Sequence, residues 1–167
     1  MIGEVPDLSH TKYELVEPLG HGGMGSVYLA RDRALDRLVA LKIVGTFAAS
    51  PDAIDRLVRE AKVLARLEHP GIVPVHDVGA LPDGRAFYTM KLVRGRRLDE
   101  YVNDETTAAE RLRILERLCD AVAFAHANGV IHRDLKPANV MVGPFGEVLV
   151  MDWGVAANAG DIAARPA

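Results

Sequence analysis

IHRDLKPANV, residues 131–140, is the stretch from which the rest of the chain is best read. Within six positions it carries an acid, Asp134, a base, Lys136, and an amide, Asn139, with Pro137 fixing the backbone between them. A purely structural loop has little reason to concentrate those three groups. His132 taken alone reads as a satisfied core histidine. The string lies between a helical segment and a strand. Upstream, TAAERLRILERLCDAVAFAHANG has the apolar spacing of a long helix and is stopped by Asn128-Gly129. Downstream, NVMVG and EVLVMD are short strands around the turn Pro144-Phe145-Gly146.

The long helix carries two apolar faces. Leu112, Leu115, Cys119 and Val122 line one; Ile114, Leu118, Ala121 and Ala125 line the other. Such a wide arc suits a helix buried on most sides, and the elements visible in the chain can cover only part of it. Cys119, the single cysteine, reads as a buried small hydrophobe that can form no internal disulfide, which fits a reducing compartment.

Farther upstream the pattern changes. YELVEPLG, GSVYLARD and RLVALKIV read as three strands over residues 13–44, with glycine and charged turns between them. SPDAIDRLVREAKVLARLEH has helical spacing and opens on Ser50-Pro51, a good cap and first-turn pair. IVPVHDVGAL and AFYTMKLV return to strand character around Pro82-Asp83-Gly84, and LDEYVND is a short helix. The order is a sheet with one helix, then a helix-rich part, joined near Val93–Gly95.

The bulk numbers exclude several classes. At 167 residues, 49% apolar and 26% charged, this is an ordinary globular composition. A net charge of −3 gives no reason to expect nucleic acid or an anionic membrane as partner. No signal peptide and no membrane-length apolar run is visible, which predicts a soluble, cytoplasmic chain.

Gly20, Gly22 and Gly25 have G-x-G-x-x-G spacing. A dinucleotide-binding loop with the same letters opens a helix. Here strand formers follow, so the glycines join two strands as a hairpin whose bare backbone can lie close to phosphates. Lys42 ends VALK; its ordinary reading is a surface lysine on a strand edge. Glu60, among Arg56, Arg59 and Lys62, ordinarily belongs to a solvated helix face. Together the two offer a cation for phosphate oxygens and a carboxylate to hold that cation.

Gly20-x-Gly22-x-x-Gly25-x-Val27, Val39-Ala40-Leu41-Lys42, His132-Arg133-Asp134 through Asn139, and Asp152-x-Gly154 stand in the order and context of eukaryotic-like protein kinases, which the chain resembles from about Tyr13 to Gly154. Lys136, two residues after Asp134, resembles the serine/threonine class, and YTMKLVRGR and MDWG resemble bacterial members. The resemblance implies an α+β, two-lobed protein-kinase-like fold: an antiparallel-sheet N-lobe with one helix over 13–93 and an incomplete helical C-lobe over 94–154. Residues 1–12 would be an N-terminal tail, and 155–167 a shortened activation-segment-like tail.

It also implies ATP and Mg²⁺ as cofactors and transfer of the γ-phosphoryl group to a serine or threonine hydroxyl of a protein substrate. Gly20, Gly22 and Gly25 would cover the triphosphate. Leu19, Val27 and Ala40 would lie above the adenine and Met141 beneath it. Met90 would be the gatekeeper, with backbone groups of Lys91 and Val93 on the adenine edge. Lys42 would bind the α- and β-phosphates and pair with Glu60. Asp134 would orient the substrate hydroxyl and accept its proton, and Lys136 would neutralise the γ-phosphate. Asn139 and Asp152 would hold magnesium. Trp153 departs from the family's usual phenylalanine; indole is larger, and its N–H needs a partner.

Family kinases continue through an activation segment, an A-P-E motif and substrate-binding helices that are not visible here. No serine, threonine or tyrosine follows Gly154, and Arg133 lacks its usual phosphate partner. The alternative expectation is therefore a truncated, catalytically weak nucleotide-binding or partner-binding module.

Overall fold

The computed structural model of the chain describes residues 6–22, 25–44, 61–153 and 157–158. The chain divides into two compact units, Met1–Ala61 with Val75–Leu92, and Lys62–Pro74 with Val93–Ala167.

The first unit is a five-stranded antiparallel sheet. Its strands are β1 (Tyr13–Gly22), β2 (Gly25–Asp32), β3 (Arg37–Val44), β4 (Val75–Ala80) and β5 (Ala86–Lys91), in the order β1-β2-β3-β5-β4. Strand alternation assigns the faces. Val39, Leu41 and Ile43 of β3 pack with Tyr13, Ala30, Leu81 and Phe87 in one buried cluster. Burial of each large aliphatic side chain there contributes about 1.5–3 kcal/mol. The intervening residues Ala40 and Lys42 must point the other way.

Polar groups pin this sheet. Tyr13 Oη donates to Asp77 Oδ2 at 2.9 Å and lies 3.1 Å from Thr89 Oγ1, which is completely buried. Asp32 Oδ1 accepts the N–H groups of Ala34 and Leu35, closing the β2–β3 turn where Asp36 has φ 48°. The other oxygen of this fully buried carboxylate has no hydrogen bond, with Lys12 Nζ at 4.0 Å and Arg37 Nε at 3.7 Å.

The second unit is built on the helix Ala108–Ala127. Thr107 caps it by accepting the Glu110 N–H at 3.2 Å, and Asn128 followed by Gly129, at φ 73°, ends it. A short helix, Leu98–Tyr101, precedes it. Against it stands a small sheet of β6 (Arg96–Arg97), β8 (Val140–Val142) and β9 (Val148–Val150), in the order β6-β8-β9. β7 (Val130–Ile131) pairs with β10 (Ala157–Asn158). Ile114, Val140, Val142 and Val148 form the core between helix and hairpin. Gly71 is required where it stands: an added Cβ would come 2.9 Å from the Ala121 Cβ. This close approach lets Val150 N–H reach Gly71 O at 2.8 Å and lets the His69 ring meet Phe124 at 5.1 Å.

Three expectations change or fall away. Cys119 is exposed, not buried, because the helix face it shares with Leu112 and Leu115 (57% and 52% exposed) is turned from the small sheet. Only Ile114, Ala121 and Ala125 of the helix are fully buried, so the wide apolar arc is half used. Of the helix expected over residues 50–69, residues 61–69 are described: 61–64 are helical, with Ala61 and Leu64 buried, whereas 65–69 are turn and loop, so the helix ends earlier than its apolar spacing suggested.

Candidate functional site

The first unit presents one half of the expected site on its second sheet face. Cross-strand register pairs Val27 with Lys42, Ala40 with Met90, and Lys42 with Tyr88. By alternation these side chains share the face opposite the Leu41 cluster. Lys42 is 4% exposed on the central strand β3, so the ordinary reading of an edge lysine fails. Its ammonium lies 5.9 Å from the Tyr88 ring centroid. An ammonium kept out of water inside a β-sheet is costly, and that cost marks the position as more than packing.

The glycine hairpin is the β1–β2 connection, with Gly20 opposite Val27 and Gly22 opposite Gly25. Gly25 has φ 123°, a backbone state that side-chain-bearing residues rarely adopt. A Cβ added at Gly20 would meet nothing within 4 Å. Packing among the described residues therefore does not require glycine there. His21 Nδ1 and Ser26 Oγ, 2.6 Å apart, brace the hairpin. Leu19 is half-exposed, Met90 buried and Lys91 exposed. Glu60 lies outside the described residues.

The second unit carries the other expected residues. Asp134 Oδ2 accepts from Lys136 Nζ at 2.8 Å and from Asn139 Nδ2 at 3.0 Å. The Lys136 ammonium holds the Asp134 carboxyl below the usual carboxylate range; slight desolvation opposes this, and the Asn139 amide adds to it. Asn139 Nδ2 also donates to the Asp134 carbonyl at 2.8 Å. Pro137 opens the single 3₁₀ turn Pro137–Asn139 that brings residues 134 and 139 together.

Asn139 and Asp152 stand at the same end of the β8–β9 hairpin. Val140 pairs with Val150, and one step beyond, Met151 N–H donates to Asn139 O at 2.8 Å. Both side-chain bonds of Asn139 use Nδ2, which leaves Oδ1 as a hard oxygen donor on a residue whose backbone meets Met151, one position before Asp152. Two such oxygens fit a magnesium ion that takes its remaining ligands from phosphate and water. Met141, on β8, is half-buried, as is Val93.

Sequence reasoning did not find what joins these loops. Buried His132 places Nε2 2.8 Å from Met151 O, and its Nδ1 accepts the Asp134 N–H at 3.2 Å. Since a carbonyl can only accept, the ring hydrogen sits on Nε2. Trp153, 2% exposed, stacks on His132 with centroids 4.6 Å apart and donates from Nε1 to Val150 O at 3.2 Å. The indole N–H thus finds its partner three residues back. Arg133 at φ 69° and Asp152 at φ 53° hold left-handed backbone that non-glycine residues seldom adopt. The only sequence signal for this brace is the pairing of His132 with an aromatic residue at 153.

A model of the protein kinase domain matches residues 13–163. The serine/threonine-protein kinase PknD of Chlamydia muridarum is 41% identical over 160 residues, 87% of this chain and 17% of that protein. The PknD of Protochlamydia amoebophila is 37% identical over 159 residues, covering 86% and 16%. That of Chlamydia pneumoniae is 36% identical over 164 residues, covering 90% and 18%. The chain spans about a sixth of the length of these curated relatives.

Proposed function

Because the chain belongs to the protein kinase family, we propose that it supplies the ATP-binding and catalytic-loop parts of a cytoplasmic serine/threonine protein kinase. Residues 13–93 carry the nucleotide-binding part and 94–154 the catalytic-loop part, with 1–12 and 155–167 as flanking segments. The observation that carries this reading is the convergence of Lys136 and Asn139 on one Asp134 carboxylate oxygen, on a loop tied by backbone to the Asp152 turn.

The roles follow from the groups. The Gly20–Gly25 hairpin lies over the phosphates, and the buried Lys42 ammonium meets α- and β-phosphate oxygens with Glu60 as its counter-ion. Leu19, Val27, Ala40, Met90 and Met141 contact the base, with Lys91 and Val93 offering backbone groups at its edge. Asp134, kept ionised by Lys136, accepts the hydrogen bond of the incoming serine or threonine hydroxyl and takes its proton as the new P–O bond forms, while the bond from the γ-phosphorus to the β,γ-bridging oxygen breaks and ADP leaves with that oxygen's electron pair. A carboxylate held below the usual range is a weak base, so its main contribution is aim. Lys136 moves between Asp134 and the γ-phosphate as charge develops there. Asn139 and Asp152 would hold magnesium, which would supply neutralisation of phosphate charge.

The test is transfer of radiolabelled phosphate from ATP to a serine/threonine-containing protein, by the protein that carries this chain. Asp134→Asn should lower turnover by about 10²–10⁴-fold while ATP affinity stays nearly unchanged. Equal turnover by both forms would overturn the assignment. ATP binding with no transfer by either form would favour the binding-module alternative.

A further inference from the structure

Lys42 sits in a slot whose two walls come from neighbouring strands. β3 is the middle strand of its sheet, and Lys42 pairs with Val27 of β2 on one side and with Tyr88 of β5 on the other. Directly opposed residues on one face of a sheet hold their Cβ atoms ~4.5–5.5 Å apart, so both side chains lie against the lysine stem. Tyr88 is 2% exposed, and the Lys42 ammonium stands over its ring, 5.9 Å from the centroid.

The neighbours of Tyr88 on its own strand serve a different purpose. Phe87 belongs to the Leu41 cluster and Thr89 meets the Tyr13 hydroxyl, both on the opposite face of the sheet. Tyr88 is therefore turned away from that core, toward the face that carries Lys42, Ala40 and Met90. Any apolar side chain of similar size could fill the place. What an aromatic ring adds is its negative face, which attracts a cation within about 6 Å of the centroid, and more strongly where water is excluded. Both groups are buried here, so that condition is met. A lysine stem has four rotatable bonds, and an ammonium already held in place loses less freedom when a phosphate oxygen arrives.

We propose that Tyr88 is a positioning residue for Lys42: the face of its ring holds the buried ammonium and fixes where it meets a phosphate oxygen. The inference rests on the ATP-binding role of Lys42 proposed above. Tyr88 acts through the lysine and not on the nucleotide itself. Its effect therefore falls on ligands that carry phosphate and passes over adenosine.

Calorimetric titration of the 167-residue chain with Mg·ATP, Mg·ADP and adenosine provides the test. Tyr88→Leu removes the ring and should weaken ATP and ADP by about 3–30-fold, the range spanned by exposed to desolvated cation–ring contacts. Adenosine affinity should stay the same. Tyr88→Phe keeps the ring and should keep the affinity for ATP. Placing 3,4,5-trifluorophenylalanine at position 88 preserves the shape of that phenylalanine ring but drains its negative face, and should weaken ATP as Tyr88→Leu does. This pair of proteins decides the matter even where the smaller leucine unfolds the sheet. Tyr88→Leu should also cost little further ATP affinity when combined with Lys42→Met. Equal ATP affinity with phenylalanine and with its trifluoro form overturns the proposal, and so does a loss shared by adenosine or full additivity of Tyr88→Leu with Lys42→Met. Unchanged ATP affinity in Lys42→Met alone would instead overturn the role of the lysine, whereas a Lys42-dependent affinity that ignores the ring overturns only the role of Tyr88.

Discussion

Lys42→Met isolates charge from shape at a position where the first unit buries an ammonium. The side chain is 4% exposed, stands on the central strand of the sheet, and shares its face with Val27, Ala40 and Met90. Methionine keeps most of the volume and flexibility of the lysine stem. A cation and a phosphate oxygen ~4 Å apart at an effective dielectric of ~20 attract by a gross ~4 kcal/mol. After desolvation of both, a hydrogen bond to a charged group retains about 1.5–3 kcal/mol, which is about a 10–150-fold loss of ATP affinity on substitution. Stability should move little, because the burial cost of an ammonium roughly offsets what its contacts return. A change within ~1 kcal/mol corresponds to a few degrees for a chain of this size. Calorimetric titration with Mg·ATP, alongside thermal unfolding without it, separates the two quantities. Equal ATP affinity in both forms would refute the argument, and so would a loss of affinity accompanied by a drop in melting temperature of ten degrees or more.

Two further substitutions probe what holds the halves of the site in shape. Tyr13→Phe removes the hydroxyl that donates to Asp77 and accepts from buried Thr89, and should cost about 1–3 kcal/mol in denaturant unfolding at pH 7. Burial pushes the Tyr13 phenol up, a bond from Thr89 opposes this, and the Asp77 carboxylate adds to it. Its contribution is therefore full below the ordinary phenol value near 10 and is lost as pH rises through the higher folded value, so the deficit of Tyr13→Phe should shrink in that window; a constant deficit up to pH 11 would contradict this. Trp153→Phe should cost about 1–2 kcal/mol through the lost bond to Val150 O and the smaller ring against His132. As Trp153 is the single tryptophan and is buried, native emission should be blue-shifted and move red on unfolding, and solvent-like native emission would place the ring elsewhere.

What the sequence made legible was whatever a period or a punctuation mark records. The glycine and charged turns around GSVYLARD and RLVALKIV bounded β2 and β3, because turn residues cannot continue a twisted strand. Asn128-Gly129 ended the long helix for the same reason. What stayed hidden has no period. β6, β7 and β10 are two residues each, too short for alternation to register. VALKIV is apolar on both faces, so nothing in it says that Lys42 lies on a central strand; the sheet order decides that. Cys119 sits in an apolar pattern that a buried helix would also show, and its exposure depends on which face the β8–β9 hairpin covers. Lys136 and Asn139 were legible because their spacing from Asp134 lies within one loop, where chain connectivity alone limits the geometry.

Asp134 and Asp152, the acids proposed for the substrate hydroxyl and for magnesium, stand eighteen positions apart, and side chains outside the proposed site set their geometry. The β8–β9 hairpin returns the chain so that Met151 N–H meets Asn139 O. That backbone bond fixes where residue 152 begins but not which way its carboxylate faces. The direction is set by φ 53° at Asp152, a left-handed state that costs a non-glycine residue on the order of 1 kcal/mol or more and needs compensation nearby. Compensation is visible on both sides. His132 accepts the Asp134 N–H and donates to Met151 O, so one ring touches both loops. Trp153, packed on that ring and bonded to Val150 O, closes the turn from beyond Asp152. The Trp153 contacts would not survive if residue 152 took an extended backbone, because the indole would leave His132. Residues that do no chemistry thus determine whether the acid, the amide and the metal carboxylate act as one site, and the wider indole at 153 fits because its N–H has a carbonyl to bond.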